Sequence, residues 1–204
     1  MHLIPTQDET VALLRETGAL REGHFVYPNG LHSNEYLQVP VAMRHSRDHL
    51  LLSVGLSRRL RANPEIRAIV PELSIVAPAT AGLPVAYGVC DALQAKQVYW
   101  AERENASEPQ RFRQYIHPEP GEQVVIVDDI LRTGNNLAEL KGMLEAAGAT
   151  VVGLAVVVYQ PTPKTHNFSP LPLYYLAKLE ASYYADAAEC ELCKAGAPIE
   201  KVWV

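Results

Sequence analysis

Apolar and polar positions follow two different periods along this chain. Near the N-terminus, TQDETVALLRETGAL puts Val11, Leu13 and Leu14 on one side of a helix, with Thr6 or Asp8 as cap and Gly18 as stop. GHFVYPNGLHSNEYLQVP then shows two short β-like runs around Pro28-Asn29-Gly30, the pattern of a hairpin. Helical spacing returns over Ser46–Leu60 through Leu50, Leu51, Val54 and Leu60. From Ser74 the apolar runs become uninterrupted. Ser74–Ala77, Gln97–Trp100, Gln123–Val127, Val151–Tyr159 and Leu173–Leu179 have the density of strands buried on both faces. Helical windows separate them at Leu83–Gln94, begun near Pro84, and at Asn135–Ala147, ended by Gly148.

Strands alternating with helices predict an α/β fold, a mostly parallel sheet with helices on both faces. No repeat, low-complexity tract or dividing linker interrupts the pattern. The expectation is one domain over 1–204: a helix and hairpin to about 45, an α/β core over about 46–180, and a tail over about 181–204. The tail, with ECELCKAGAPIEKVWV, reads as a separate small feature. ERENASEPQRFRQYIHPEPGE, residues 102–122, is polar and long for a connection, which marks a lid, a hairpin or a mobile functional loop.

One stretch carries chemistry. In VVIVDDILRTGNNL, Val124–Leu137, four apolar residues run into two adjacent acids, and a small polar loop then opens a helix. Asp128 and Asp129 are expected at the carboxyl end of a strand, where open α/β sheets bind ligands. The following helix start presents unsatisfied N–H groups and the positive end of the helix dipole. Gly134 permits close backbone approach, and Thr133, Asn135 and Asn136 add side-chain donors. The stretch is read as a phosphate cradle, although neither GxxxxGK[ST] nor GxGxxG is present. A phosphorylated sugar suits it, its hydroxyls donating to the acids. The competing reading is a helix start capped by Asp129, with Asp128 solvated.

Composition narrows the classes. The 204 residues are 48% apolar with a net charge of −5, a globular balance that argues against broad nucleic-acid binding. No apolar run approaches the roughly 20 residues of a membrane span, and MHLIPTQDET lacks the pattern of a signal peptide. Three cysteines do not make a secreted disulfide framework, so the expected compartment is the cytoplasm.

VVIVDDILRTGNNL resembles the phosphoribosyl pyrophosphate (PRPP) motif of type I phosphoribosyltransferases: a hydrophobic strand, two acids, a short variable stretch and a Thr-Gly loop. The resemblance extends over most of the chain, toward the orotate phosphoribosyltransferase branch. TGALREGHFVYPNGLHSNEYLQ is similar to that branch's N-terminal hood, and SIVAPATAGLPVA to its pyrophosphate-loop strand and turn. YWAERE resembles its next strand, and ECELCKAGAPIEK a C-terminal motif of some bacterial members.

The resemblance implies a parallel sheet flanked by helices under a hood. It implies that Asp128 and Asp129 hold the ribose hydroxyls of PRPP, with Ile130 and Leu131 in the same motif. Arg132, Thr133, Gly134, Asn135 and Asn136 would hold the 5′-phosphate, and Ala79, Thr80, Ala81 and Gly82 the pyrophosphate. Arg103 stands where the family places a cation near the pyrophosphate. Arg111 and Arg113 lie in a segment resembling a catalytic lid that crosses to a second subunit, so a homodimer is implied. Mg²⁺ held by PRPP oxygens is the implied cofactor. The implied reaction moves the phosphoribosyl group to a base and releases pyrophosphate, orotate giving orotidine 5′-phosphate. Two further readings stay open: the same transfer to a salvage base, and a PRPP-binding sensor without turnover.

The base side departs from the branch. Pro28 replaces a hood lysine, Gln160 stands where an arginine often meets orotate, and Glu102 stands where many members have a cation. The lid, Asn105–Gln114, carries arginines but no lysine. Tyr36, Thr133 and Gln160 are the candidate base contacts, Tyr36 being equally readable as a half-buried strand aromatic. Cys190 and Cys193 have metal-ligand spacing. Zinc there would need two more ligands, from Cys90, His117 or His166; an ordinary reduced tail is the other reading. His24, His32 and His45 are read as surface or hairpin residues, His32 also as a base contact. Trp100 and Trp203 are read as packing residues.

Overall fold

The computed structural model describes residues 4–105 and 107–202; the packing role expected of Trp203 lies outside them. Helix α1 (Gln7–Glu16) is closed by a capping box in which Glu9 N–H donates to Thr6 and Thr6 N–H to Glu9, an arrangement worth about 1 kcal/mol. Gly18, at φ 74°, turns the chain out of it. Strands β1 (Leu20–Val26) and β2 (His32–Leu37) form the predicted hairpin. Two short helices that the sequence pattern does not predict follow the hairpin and α3: α2 (Val39–Met43) precedes α3 (Ser46–Arg61), and α4 (Pro64–Ile69) succeeds it.

The core repeats strand and helix: β3 (Ser74–Pro78), α5 (Gly82–Leu93), β4 (Gln97–Glu102), a two-residue β5 (Arg111–Phe112), β6 (Gln123–Leu131), α6 (Asn135–Ala146), β7 (Thr150–Tyr159) and β8 (Leu173–Lys178). They make a six-stranded sheet in the order β5-β4-β3-β6-β7-β8, parallel throughout except for β4 with β5. The uninterrupted apolar runs are explained by burial on both faces. Along β6, Val125 and Val127 pack with α1, α3 and α5, while Val124 and Ile126 pack with Leu137, Leu140 and Leu144 of α6.

A second, four-stranded sheet is the hood, in the order β10-β1-β2-β9. Its outer strands, β9 (Tyr183–Tyr184) and β10 (Glu200–Lys201), come from the tail, with the four-residue α7 (Glu191–Lys194) between them. The tail is therefore built into the hood: β10 pairs with β1 in parallel and β9 with β2 antiparallel. His24 and His32 are buried in this sheet, not surface residues, whereas His45 is exposed. Trp100 packs beside Tyr87. Among the described residues, no helix is long and apolar enough to cross a membrane.

Candidate active site

Strand β6 runs four residues beyond its expected end, because Asp128, Ile130 and Leu131 keep their register with β7 as far as Leu131 opposite Tyr159. The two acids thus stand inside a strand and are rigidly held. Asp128 accepts the Asp129 N–H at 2.9 Å, and Asp129 accepts the Ile130 N–H at 2.8 Å. They are only 8% and 7% exposed. Burial pushes both carboxyls up; Asp128 is raised well above the ordinary carboxylate range, the neighbouring Asp129 charge adding to its burial. This placement removes the alternative of Asp129 as the helix cap.

Gly134 is the residue that caps α6, at φ 78°, and it has no side chain to satisfy the first N–H groups. A Cβ at that position would stand 2.8 Å from Phe168 and 3.0 Å from Leu131, so both the turn and the packing demand glycine. The first intrahelical bond is Ala138 N–H to Gly134; Asn135 N–H donates to the Thr133 hydroxyl at 3.5 Å, and the N–H groups of Asn136 and Leu137, two residues that line the cleft, have no acceptor within the helix. The opposite wall is the turn Ala79–Ala81 between β3 and α5, with a cis peptide between Ala79 and Thr80. Gly82 closes the gap between the walls, since a Cβ there would sit 3.0 Å from Asp128 Oδ1. Together these elements enclose a cleft of about 540 Å³, with acids on its floor and backbone donors on its rim.

Residues 69–168 match the phosphoribosyl transferase domain family. An orotate phosphoribosyltransferase from Pelotomaculum thermopropionicum is 34% identical over 197 residues, covering 96% of this chain and 96% of that protein. Another from Thermotoga maritima is 32% identical over 189 residues, 93% of this chain and 94% of its own. This chain belongs to the phosphoribosyltransferase family. The fold recurs in the crystal structure of an orotate phosphoribosyltransferase from Aeropyrum pernix, with a TM-score of 0.62 at 22% identity over 82% of this chain and 92% of that one. It recurs also in adenine phosphoribosyltransferase from Leishmania donovani, at 0.60 and 17% identity over 87% of this chain and 86% of that one. One architecture thus serves proteins named for different bases, and the base must be argued from the pocket.

In this phosphoribosyltransferase the cleft is lined by Asp128, Asp129, Ile130, Arg132, Thr133, Gly134, Asn135 and Asn136 on one side and by Ala79, Thr80 and Ala81 on the other. Leu131 turns into the core and Gly82 lies behind the wall, so neither lines it. The three expected arginines do not line it either. Arg103 is held by Glu139 of α6 and donates to Asn136 at 3.2 Å. Arg111 pairs with Glu104 and Arg113 with Glu102, all across the exposed β4–β5 hairpin.

A second cavity of about 340 Å³ adjoins the first, and Arg132 and Thr133 line both. Its other walls are aromatic and apolar residues, Tyr27, Leu31, Pro163 and Tyr183, with Asn29, Thr162 and Lys164. Tyr27 has a buried hydroxyl that makes no hydrogen bond among the described residues. Tyr36 lies outside this cavity, packed on Phe25 and Tyr27 with the Arg21 guanidinium 5.0 Å over its ring. Gln160 is sealed beneath it, 1% exposed, and serves as a joint. Its Oε1 accepts from Arg132 Nε at 2.8 Å and from the Tyr183 hydroxyl at 2.9 Å, and its Nε2 donates to Glu35 at 3.2 Å. Burial pushes the Tyr183 phenol up to about 12, which keeps it a donor. Arg132 also donates to the Leu37 carbonyl at 3.2 Å, so its guanidinium is fixed between hood and core. Gln160 therefore positions a cation instead of replacing one. Tyr27, Lys164 and Tyr183 were not legible as pocket residues; for Tyr183 only the β2–β9 pairing reveals it.

Proposed function

We propose that this protein transfers the 5-phosphoribosyl group of PRPP to orotate and releases pyrophosphate. The observation that carries the proposal is Arg132, a fixed cation shared by the acid-floored cleft and the aromatic cavity beside it. The 5′-phosphate sits at the start of α6, where uncapped N–H groups and the helix dipole favour an anion. Asp128 and Asp129 accept from the vicinal ribose hydroxyls; each hydroxyl adds a donor to a buried carboxylate that holds one backbone N–H. The Ala79–Ala81 turn takes the pyrophosphate. The base lies against Tyr27 and Tyr183 in the second cavity. Orotate is an anion, and Arg132 with Lys164 supplies the positive charge that Pro28 and Gln160 do not.

The transition state separates a cationic ribose from an anionic leaving group, so the chain's contribution is positioning and charge placement. Two buried carboxylates beneath the ribose carbon suit the developing positive charge. They fit Mg²⁺ as well: magnesium is commonly held by one or two carboxylates together with substrate phosphates, and it would neutralise the departing pyrophosphate. Arg111 and Arg113 stand away from their own chain's cleft, which supports a homodimer in which this segment closes over the neighbouring subunit's site. The enzyme is read as cytoplasmic, in keeping with its free cysteines.

The test is pyrophosphate release from PRPP and Mg²⁺ with orotate and, separately, with a panel of other bases. Release with orotate is the expected result. Release with another base alone moves the protein to salvage. PRPP binding without release from any base makes it a sensor.

A further inference from the structure

The hood holds a second cluster of chemistry, away from both cavities. Cys190 stands at the N-cap position of α7 and Cys193 one turn on, a spacing that turns both sulfurs to one side. β1 and β2 bring His24 and His32 to meet them, and the potential ligand atoms of all four residues lie within 4.8 Å of one another. Cys190 Sγ is 3.5 Å from His24 Nε2. Cys193 Sγ is 3.6 Å from His24 Nε2 and 3.5 Å from His32 Nδ1. A tetrahedral zinc with metal–sulfur bonds of about 2.3 Å and metal–nitrogen bonds of about 2.05 Å has sulfur–nitrogen edges of about 3.6 Å. All three separations match that edge. The two imidazole nitrogens, 2.9 Å apart, need to open by about 0.4 Å to reach theirs.

Two further observations point to a ligand. The other nitrogen of His24, Nδ1, lies 3.0 Å from the Ala197 carbonyl. Donating its proton there fixes the tautomer that turns the Nε2 lone pair to the cluster, the usual support of a metal-bound histidine. Burial is also that of a closed structural site: Cys190 is fully buried, and His24 and His32 are 3% and 6% exposed. The other cysteine and histidine candidates are elsewhere. Cys90, in α5, bonds the Ala95 carbonyl just beyond that helix, His166 bonds Asn135 beside the cleft, and His117 is exposed.

We propose that His24, His32, Cys190 and Cys193 bind one zinc ion that clasps the C-terminal tail to the hood. The two thiols give up their protons on binding, and the metal cross-links β1 and β2 to α7. The site is structural, with four protein ligands and no open position for substrate.

The proposal is tested on the full-length protein. Metal is quantified by mass spectrometry after purification without chelators. Chelator-treated protein is then titrated with zinc and, separately, with cobalt. The expected results are one zinc ion per chain and, with cobalt, the intense visible bands of a tetrahedral site with a thiolate charge-transfer band. Cys193→Ser, at a partly exposed ligand, should lose the charge-transfer intensity or the metal, and chelation should lower the unfolding temperature of the wild type but not of this variant. Failure of the wild type to bind zinc or cobalt stoichiometrically overturns the proposal. So does a cobalt spectrum without thiolate charge transfer, or full tetrahedral binding in a His32→Ala, Cys193→Ser double variant.

Discussion

Asp128→Asn should make the free protein more stable and the ligand-binding protein worse. The wild type holds two adjacent carboxyl groups at 8% and 7% exposure with no ion pair among the described residues. The raised Asp128 pKa means that the folded state holds this proton more tightly than the unfolded chain does. Wild-type stability therefore falls as pH rises from the ordinary carboxylate range through the raised value, and is level above it. Asparagine keeps the acceptor for the Asp129 N–H and carries no charge. Ionising a buried carboxyl that has no cationic partner costs at least as much as leaving a buried polar group short of partners, about 1–3 kcal/mol. Taking about 2 kcal/mol, and about 2–4 °C per kcal/mol for a chain of this length, the variant should melt about 4–8 °C higher at a pH above the raised Asp128 value. The gain should vanish on the acid side, where Asp128 is protonated in both states. Mg²⁺ and PRPP at about a hundredfold above Kd should stabilise the wild type by about 2.7 kcal/mol. In the variant PRPP affinity should fall about 10–200-fold, the loss of a charge-assisted bond worth about 1.5–3 kcal/mol. Thermal unfolding across pH, with and without PRPP, reads all of this. A variant that is less stable throughout the pH range, or whose stability difference ignores pH, refutes the account of the acids.

Arg132→Met should raise KM for orotate about 10–200-fold, the worth of a hydrogen bond to a charged group, and should raise KM for PRPP less; equal changes in the two would remove Arg132 from the base pocket. Gly134→Ala, at φ 78° with Phe168 2.8 Å from the new methyl, should cost about 1–3 kcal/mol in urea unfolding and weaken PRPP binding. Arg111→Ala combined with Arg113→Ala should leave unfolding unchanged within about 0.5 kcal/mol, because both arginines are exposed. The same variant should lower kcat about a hundredfold or more, and mixing its subunits with Asp128→Asn subunits should recover activity if the segment serves the neighbouring site.

The parts of the fold legible in sequence were those fixed by local pattern. β3, β6 and β7 are buried on both faces, and their apolar runs say so. The stretch that lines the cleft was legible because its polar residues lie together between Asp128 and Asn136. The end of β6 was misplaced because Asp128 and Asp129 break the apolar run while the backbone ladder to β7 continues beneath them. α2 and α4 are too short for periodicity, although Asn63 before Pro64 was a usable start signal, and its side chain does accept from Glu65 and Ile66. The second cavity and the His/Cys cluster were illegible for a different reason. Tyr27 meets Tyr183, and His24 meets Cys190, only through strand pairings between the two ends of the chain, which no window of sequence contains.

That pairing governs the order in which the molecule can be made. A ribosome delivers β1 and β2 well before their outer partners β9 and β10, which follow β8 in the chain. Until those strands emerge the hairpin has two open edges, and an isolated two-stranded hairpin is at best marginally stable in water. The sheet that carries Asp128–Asn136 is complete once β8 has emerged, whereas the wall of the second cavity still waits for Tyr183. A chain cut short after β8 would thus keep the half proposed to hold the phosphates and lose the half proposed to choose the base.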